Sequence, residues 1–156
     1  MHSENSIFMN ASAERIFDVA SDLARWPSIL PHYRWIKYLS RLANKNVVIM
    51  AAKRVLPLLG RIGIPVRWTS EQEIDRERKQ IRFHHLKAFT RGMRVTWTFT
   101  PSRDGTEVQI VHDLHSTIPL LGRLIVEPII GRFFIHFIAT QTLEHMKPFV
   151  ERDDET

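Results

Sequence analysis

Hydrophobic and polar residues alternate along the middle of the chain. In Arg91–Thr100 and Thr106–Leu114 every second position is apolar, except that His112 occupies one of the positions in the apolar series. A period of two predicts β-strands with one buried face. The same pattern, with turn residues such as those of Ser102–Gly105, predicts seven strands. They lie at Ser6–Met9, Tyr33–Leu42, Val47–Arg54, Val66–Ile74, Gln80–Lys87, Arg91–Thr100 and Thr106–Leu114.

Helical patterns flank these strands. Asn10 or Ser12 can cap a helix over Ala13–Leu23, and a single turn follows at residues 28–30. From Ile118 onward the chain is apolar on nearly every side, and a helix of that kind must be covered on more than one side. A curved sheet, a bound apolar ligand or a second copy of the chain could supply the cover. We predict that the main helix runs from about Pro128 to Val150.

The element order predicts an α+β fold. A seven-stranded antiparallel sheet would wrap around the long C-terminal helix, with two short helices after the first strand. At 156 residues the chain is expected to form one domain over residues 1–151, with a disordered tail at 152–156. One helix cannot fill the concave face of so large a sheet, so we expect a cavity between them.

Composition narrows the possible chemistry. The absence of cysteine excludes disulfides and thiolate chemistry, and no signal peptide or membrane-spanning run is recognisable, so we expect a cytoplasmic protein. No acidic residue occurs between Asp22 and Glu71, although that stretch holds nine lysines and arginines. The basic region over residues 25–67 indicates either a solvated face or an anionic partner, namely an acidic carrier protein or an anionic membrane surface. No nucleic-acid motif is present, and we expect no nucleic-acid partner.

The segment Val55–Val66 is apolar, interrupted by glycine and proline, and flanked by basic residues. It is either a buried connection between strands or a lid at the cavity mouth.

Histidine is the main candidate for polar chemistry. His112 occupies an inward position, and His85 can also point inward. A buried histidine either completes hydrogen bonds in the core or exchanges protons with a ligand. Because neighbouring strand residues face opposite ways, neither His112 with Asp113 nor His84 with His85 forms a convincing metal site. We expect neither a metal nor another cofactor.

Four segments resemble the polyketide cyclase/dehydrase family, a member of the START-related superfamily with the helix-grip fold of the birch pollen allergen. They are Trp26–Tyr33, Trp68–Glu71, Gly92–Trp97 and Ile138–Met146. The resemblance spans about Ser6 to Glu151 and implies a deep cavity between sheet and helix. Family cyclases are thought to orient a poly-β-keto chain with cavity aromatics and an arginine. Trp26 and Tyr33 match the aromatics, while Gln72 stands at the arginine position and brings no positive charge.

We therefore expect a carrier or binding protein for a hydrophobic small molecule such as a lipid, a polyketide or an isoprenoid-like compound. The first alternative is a polyketide aromatase/cyclase-dehydratase acting on a carrier-bound chain, with Tyr33, Gln72 and His112 as catalytic candidates. The second is an interaction module that uses the apolar helix for homodimerisation or docking. The predicted ligand-binding residues are Trp26, Trp35, Trp68, Phe83, His85, Met93, Trp97, Phe99, Phe133 and Phe137.

Overall fold

The computed structural model describes residues 1–55, 63–114, 124 and 134–152. Its elements follow the predicted order, strand, two short helices, six strands and a C-terminal helix. The strands are β1 (His2–Met9), β2 (Tyr33–Arg41), β3 (Lys45–Val55), β4 (Gly63–Asp75), β5 (Gln80–Lys87), β6 (Arg94–Ser102) and β7 (Gly105–Asp113). The helices are α1 (Ala13–Ser21), α2 (Trp26–Ile29) and α3 (His136–Arg152), with a 3₁₀ turn at Leu23–Arg25.

All seven strands form one antiparallel sheet in the order β1-β7-β6-β5-β4-β3-β2. Strands β2 to β7 are a meander, and β1 joins it beside β7. The predicted fold class is thus confirmed. Strand β1 begins earlier than expected, at His2, because its ladder with β7 continues to the pair His2–Asp113. The Met1 ammonium group extends this contact by donating to the Leu114 carbonyl at 2.7 Å.

Alternation assigns the inner face correctly on the strands where it is strongest. Val95, Trp97 and Phe99 are buried on β6, and Val108 and Ile110 are buried on β7. These side chains form one core with the helices that cover the concave face. The predicted turn between β6 and β7 also forms, with Ser102 opposite Gly105.

Helix α1 begins as its sequence predicts. The Ser12 hydroxyl accepts a hydrogen bond from the Arg15 backbone N–H, a common way of capping a helix N-terminus. The buried face of α1 includes Ile16 and Phe17, and the Phe17 ring meets the Phe99 ring edge-on at 5.6 Å. This contact joins α1 to the inner face of β6.

Helix α3 closes the core by burying one face, formed by Ala139, Thr142, Leu143, Met146 and Val150. The predicted start of this helix near Pro128 and the part of the apolar run over residues 118–133 lie outside the described residues, apart from Leu124. Most of the proposed lid over residues 55–66 and residues 153–156 of the expected tail also lie outside them. Within the described ranges, no helix is long and apolar enough to cross a membrane.

Trp35 contradicts the predicted inner face. Tyr33 is buried, but Trp35, two residues further along β2, is 42% exposed. The pairing of β2 with β3 shifts between these two residues, as it does at a β-bulge. A bulge adds one residue to one strand and reverses the faces that follow it. Trp35 therefore lies on the outer face, and its assignment to the ligand site was wrong.

Candidate functional site

A cavity of about 70 Å³ lies between the concave face of the sheet and helix α3. Strands β2 to β7, helix α2, helix α3 and the β5–β6 loop all contribute to its wall. Its described lining residues are Trp26, Tyr33, Met50, Trp68, Phe83, His85, Phe89, Thr90, Met93, Val95, Trp97, Ile110, His112, Phe134, Ile135, Ile138, Ala139 and Thr142. None of them is an aspartate, glutamate, lysine or arginine, so histidines and hydroxyl groups supply the polar side chains in this part of the wall.

Aromatic rings form a continuous wall of the cavity. The Trp26 ring contacts the rings of Tyr33 at 5.1 Å and Trp97 at 5.8 Å between centroids. The Trp68 ring lies 6.1 Å from Tyr33 and stacks on His85 at 5.9 Å. Offset and edge-on contacts are the arrangements that aromatic pairs prefer. The wall is therefore a packed aromatic cluster.

His85 is the first of two histidines in this wall. Its Nδ1 atom lies 2.7 Å from the Thr90 hydroxyl, a hydrogen bond that connects β5 to the loop before β6. Burial, with smaller contributions from the neighbouring His112 and His84, lowers the pKa of His85 to about 3. The ring is consequently uncharged near neutral pH.

His112 reaches the same cavity from β7. Burial lowers its pKa to about 4, because the lowering effect of burial outweighs the raising effect of Asp113. Its Nδ1 atom is buried without a hydrogen-bond partner in the described part of the chain. A neutral imidazole has one donor and one acceptor nitrogen. His112 thus keeps hydrogen-bonding capacity that the described protein groups do not use.

A second polar group joins β2 to α3. The Thr142 hydroxyl donates to the Ile138 carbonyl at 2.7 Å, so it accepts from His32 Nε2 at 3.0 Å. Burial raises the pKa of the Tyr33 phenol well above its usual value, and the nearby Thr142 hydroxyl offsets a smaller part of this effect. Burial, with a smaller effect of His145, lowers the pKa of His32 to about 4. Tyr33 and His32 therefore both remain uncharged near neutral pH.

The β5–β6 loop brings an exposed ring to the cavity. Phe89 is 42% exposed and contacts Phe134 with 5.6 Å between ring centroids. The preceding residue, Ala88, has φ of +75°, a conformation that is unfavourable for a residue with a side chain. Phe89 and Phe134 are thus the described aromatic pair nearest to solvent in the wall.

The structure brings most of the predicted site residues together. Eight of them line the cavity, namely Trp26, Tyr33, Trp68, Phe83, His85, Met93, Trp97 and His112. Phe99 is instead buried against Phe17 and Trp97. The Arg54 guanidinium carbon lies over the Phe137 ring, 4.9 Å from the ring centroid. Phe133 lies outside the described residues.

Gln72 is placed away from the cavity wall. It is fully buried, its Oε1 atom accepts from Asn46 Nδ2 at 2.9 Å, and its Nε2 atom donates to the Ser21 carbonyl at 3.0 Å. Both ends of the amide are used to connect β4 with β3 and with the end of α1. The predicted catalytic role of Gln72 does not fit this geometry.

Several lining residues were missed by reasoning from the sequence. Val95 and Ile110 follow the alternation on β6 and β7 and could have been found from it. Thr90 lies in a loop without periodicity, and Thr142 depends on how α3 rotates against the sheet. Among the described residues, no group of three histidines or acids is arranged to hold a metal ion.

Residues 9–138 match the family described as polyketide cyclase/dehydrase and lipid transport. The chain belongs to this family, as its sequence motifs indicated. It is also 28% identical over 113 residues to a putative polyketide cyclase of Streptomyces cyaneus, a match that covers 72% of this chain and 71% of the relative.

Solved structures agree with the fold. The protein TTHA0849 of Thermus thermophilus superposes with a TM-score of 0.77 at 23% identity, covering 96% of this chain and 97% of that one. The Zhui aromatase/cyclase of Streptomyces sp. R1128 gives 0.77 at 18% identity, covering 97% and 94%. A STAR-related lipid transfer protein of Xanthomonas axonopodis gives 0.60 at 12% identity, covering 96% and 85%. These likenesses show that the chain shares its fold with these proteins.

Proposed function

We propose that this protein binds a planar hydrophobic small molecule that carries a hydroxyl or carbonyl oxygen, in the cavity between its sheet and α3. The observation that carries the proposal is the combination of a packed aromatic wall with His112, a neutral ring whose hydrogen-bonding capacity is unused in the described structure. Flat rings stack favourably on tryptophan and tyrosine. A polyketide-like or other ring compound therefore matches this wall better than a straight acyl chain.

Binding also suits the protonation states of the polar groups. A base works best when its pKa lies near the operating pH. The His112 pKa of about 4 makes it a weak base, and the raised pKa of Tyr33 makes the phenol a weak acid. Both groups are better suited to hydrogen bonding than to proton transfer. A role as a binding or carrier protein is therefore the first proposal.

The size of the cavity limits what it holds without rearrangement. Pockets that enclose drug-sized ligands usually have volumes of about 300–1,000 Å³. A cavity of about 70 Å³ is far smaller, so a ring compound must displace lining side chains. Phe89 is the most exposed of the described aromatic lining residues and is the candidate to move.

Three probes test the proposal by calorimetry: 2-naphthol, naphthalene and 1-decanol. We expect 2-naphthol to bind more tightly than naphthalene by about two- to thirteen-fold, the effect of one hydrogen bond of about 0.5–1.5 kcal/mol. Decanol should bind more weakly than both, because it cannot stack. Tighter binding of decanol, or equal affinities for the two ring compounds, would contradict the proposal.

Matched histidine variants locate the hydrogen bond. His112→Phe should bring the affinities for 2-naphthol and naphthalene close together. His84→Phe is the control, since His84 is exposed and lies outside the cavity wall. Tryptophan fluorescence in a Trp35→Phe background reports on the cavity, because the three remaining tryptophans, Trp26, Trp68 and Trp97, all line it. Quenching by bound 2-naphthol is expected in this variant.

A second candidate function is cyclisation and dehydration of a carrier-bound poly-β-keto chain. It is supported by the likeness to the putative polyketide cyclase and by the presence of Tyr33 and His112 in one cavity. The test is turnover of a poly-β-keto thioester, followed by product analysis. For an enzyme, His112→Ala should reduce turnover far more than binding, whereas equal losses would indicate recognition alone.

A further inference from the structure

The outer face of the sheet carries an apolar area at the β2 edge. Trp35 and Leu39 lie on β2, the edge strand that pairs with β3 alone, and are 42% and 55% exposed. On β3, Val47 and Ile49 alternate with buried residues and are half-buried on the same outer side. Trp35 lies opposite Ala51, and Lys37 lies opposite Ile49. This register places the apolar side chains beside one another across two strands.

Two cations border this area. Arg67 on β4 lies opposite Ala51, and Lys53 lies two residues beyond Ala51 on the same side of β3. We define the Trp35 face as Trp35, Lys37, Leu39, Val47, Ile49, Lys53 and Arg67. Within the described parts of the chain, none of its three cations forms an ion pair. The nearest acid in register on this side, Glu71, is paired with Lys45 at 3.1 Å.

The other half of the outer face is different in composition. There β6 presents Arg94, Thr96 and Thr98, and β7 presents Glu107, Gln109 and Asp113. The apolar residues on this half, Val111 and Phe8, lie opposite Glu4 and Glu107. A polar outer face is usual for an antiparallel sheet with one side in water. The Trp35 face breaks this rule, and contiguous exposed apolar area of this kind commonly marks a contact surface.

We propose that the Trp35 face docks on the surface of an anionic lipid bilayer. A second copy of the chain would bring the three cations of each copy, Lys37, Lys53 and Arg67, into one two-fold contact, which like charges oppose. Protein interfaces in general are depleted of lysine, whereas two of these three cations are lysines. Anionic headgroups attract lysine and arginine, and tryptophan suits the boundary between headgroups and acyl chains.

This proposal does not depend on the cavity ligand. The face lies on the side of the sheet opposite the cavity, so its variants should leave 2-naphthol binding unchanged. Loss of vesicle binding with intact ligand binding, or the reverse, therefore separates the two proposals.

Vesicle flotation tests the docking face. We expect the protein to bind vesicles of equal parts phosphatidylcholine and phosphatidylglycerol, to bind pure phosphatidylcholine poorly, and to be released as salt rises. Each cation near an anionic surface contributes about five-fold to the affinity. Neutralising Lys37 and Arg67 together (Lys37→Gln, Arg67→Gln) should therefore weaken vesicle binding about 25-fold. Arg94→Gln, an exposed cation on the polar half of the same outer face, is the matched control and should keep wild-type binding.

Trp35 tests the apolar part of the contact. Anionic vesicles should protect Trp35 from acrylamide quenching, and Trp35→Ala should weaken binding even at low salt. Absence of binding to anionic vesicles, wild-type binding by both sets of variants, or an unprotected Trp35 would each overturn the proposal. So would a dimer in sedimentation experiments that Trp35→Ala converts to a monomer, because that result would assign the face to a second copy.

Discussion

Replacement of Gln72 by leucine tests whether this residue supports the fold or contacts the ligand. Leucine is similar in volume but cannot form either hydrogen bond of the buried amide. The change leaves Asn46 Nδ2 and the Ser21 carbonyl without these partners. A buried polar group that loses its partner costs about 1–3 kcal/mol, so we expect the free energy of unfolding to fall by about 2–5 kcal/mol. For a chain of this size the Tm should fall by roughly 5–15 °C.

Urea unfolding followed by circular dichroism measures the effect. Gln109→Leu is the control, since Gln109 lies on the outer side of β7 and makes one exposed hydrogen bond to Glu4. Its free energy of unfolding should change by less than about 0.5 kcal/mol. Asn46→Val should cost less in the Gln72→Leu background than in the wild type, with a coupling of about 1 kcal/mol between these cross-strand partners.

The result also bears on the cavity. At a temperature where Gln72→Leu remains folded, its affinity for 2-naphthol should match that of the wild type. A variant of normal stability that binds the probe poorly would refute the structural role and return Gln72 to the ligand site.

Three further predictions concern acid sensitivity and backbone geometry. The pKa values of His32, His85 and His112 are lowered to about 4, 3 and 4 in the folded protein, against about 6.5 when unfolded, so stability is retained above pH 6.5 and lost as pH falls toward 4. Proton uptake by these three histidines on unfolding near pH 5 should approach about three, and His85→Gln should lower it by about one. Gly105→Ala should destabilise the protein by about 1–3 kcal/mol, because the new methyl group would lie 2.3 Å from the Met9 carbonyl oxygen. An unchanged urea midpoint would refute this. Ala88→Gly should instead stabilise by about 0.5–1 kcal/mol, because its φ of +75° suits glycine, and a lower Tm would disprove that reasoning.

Local patterns were sufficient wherever each residue's environment follows from its neighbours in the chain. Val95, Trp97 and Phe99 face inward because alternation continues unbroken along β6. The same rule failed at Trp35, since a bulge between β2 and β3 changes the register of one strand against its partner. Nothing in the local spacing of Tyr33 and Trp35 indicates that change.

The candidate site shows the same division. The inward placement of His112 could be predicted from β7 alone, and Trp26 and Tyr33 from their place in a family motif. The partners of Gln72 could not, because Asn46 and Ser21 are 26 and 51 residues away. The bond between His32 and Thr142 spans 110 residues, and the choice of partner depends on how α3 rotates over the sheet.

Periodicity and composition established the strands, the sign of the exposed charge and the supply of aromatic side chains, because these properties depend on local chain geometry and residue chemistry. The assembled sheet and helix settled which rings enclose space, which histidines are neutral and which amide is already bonded. Those properties depend on burial and on contacts between distant segments, which no local pattern contains.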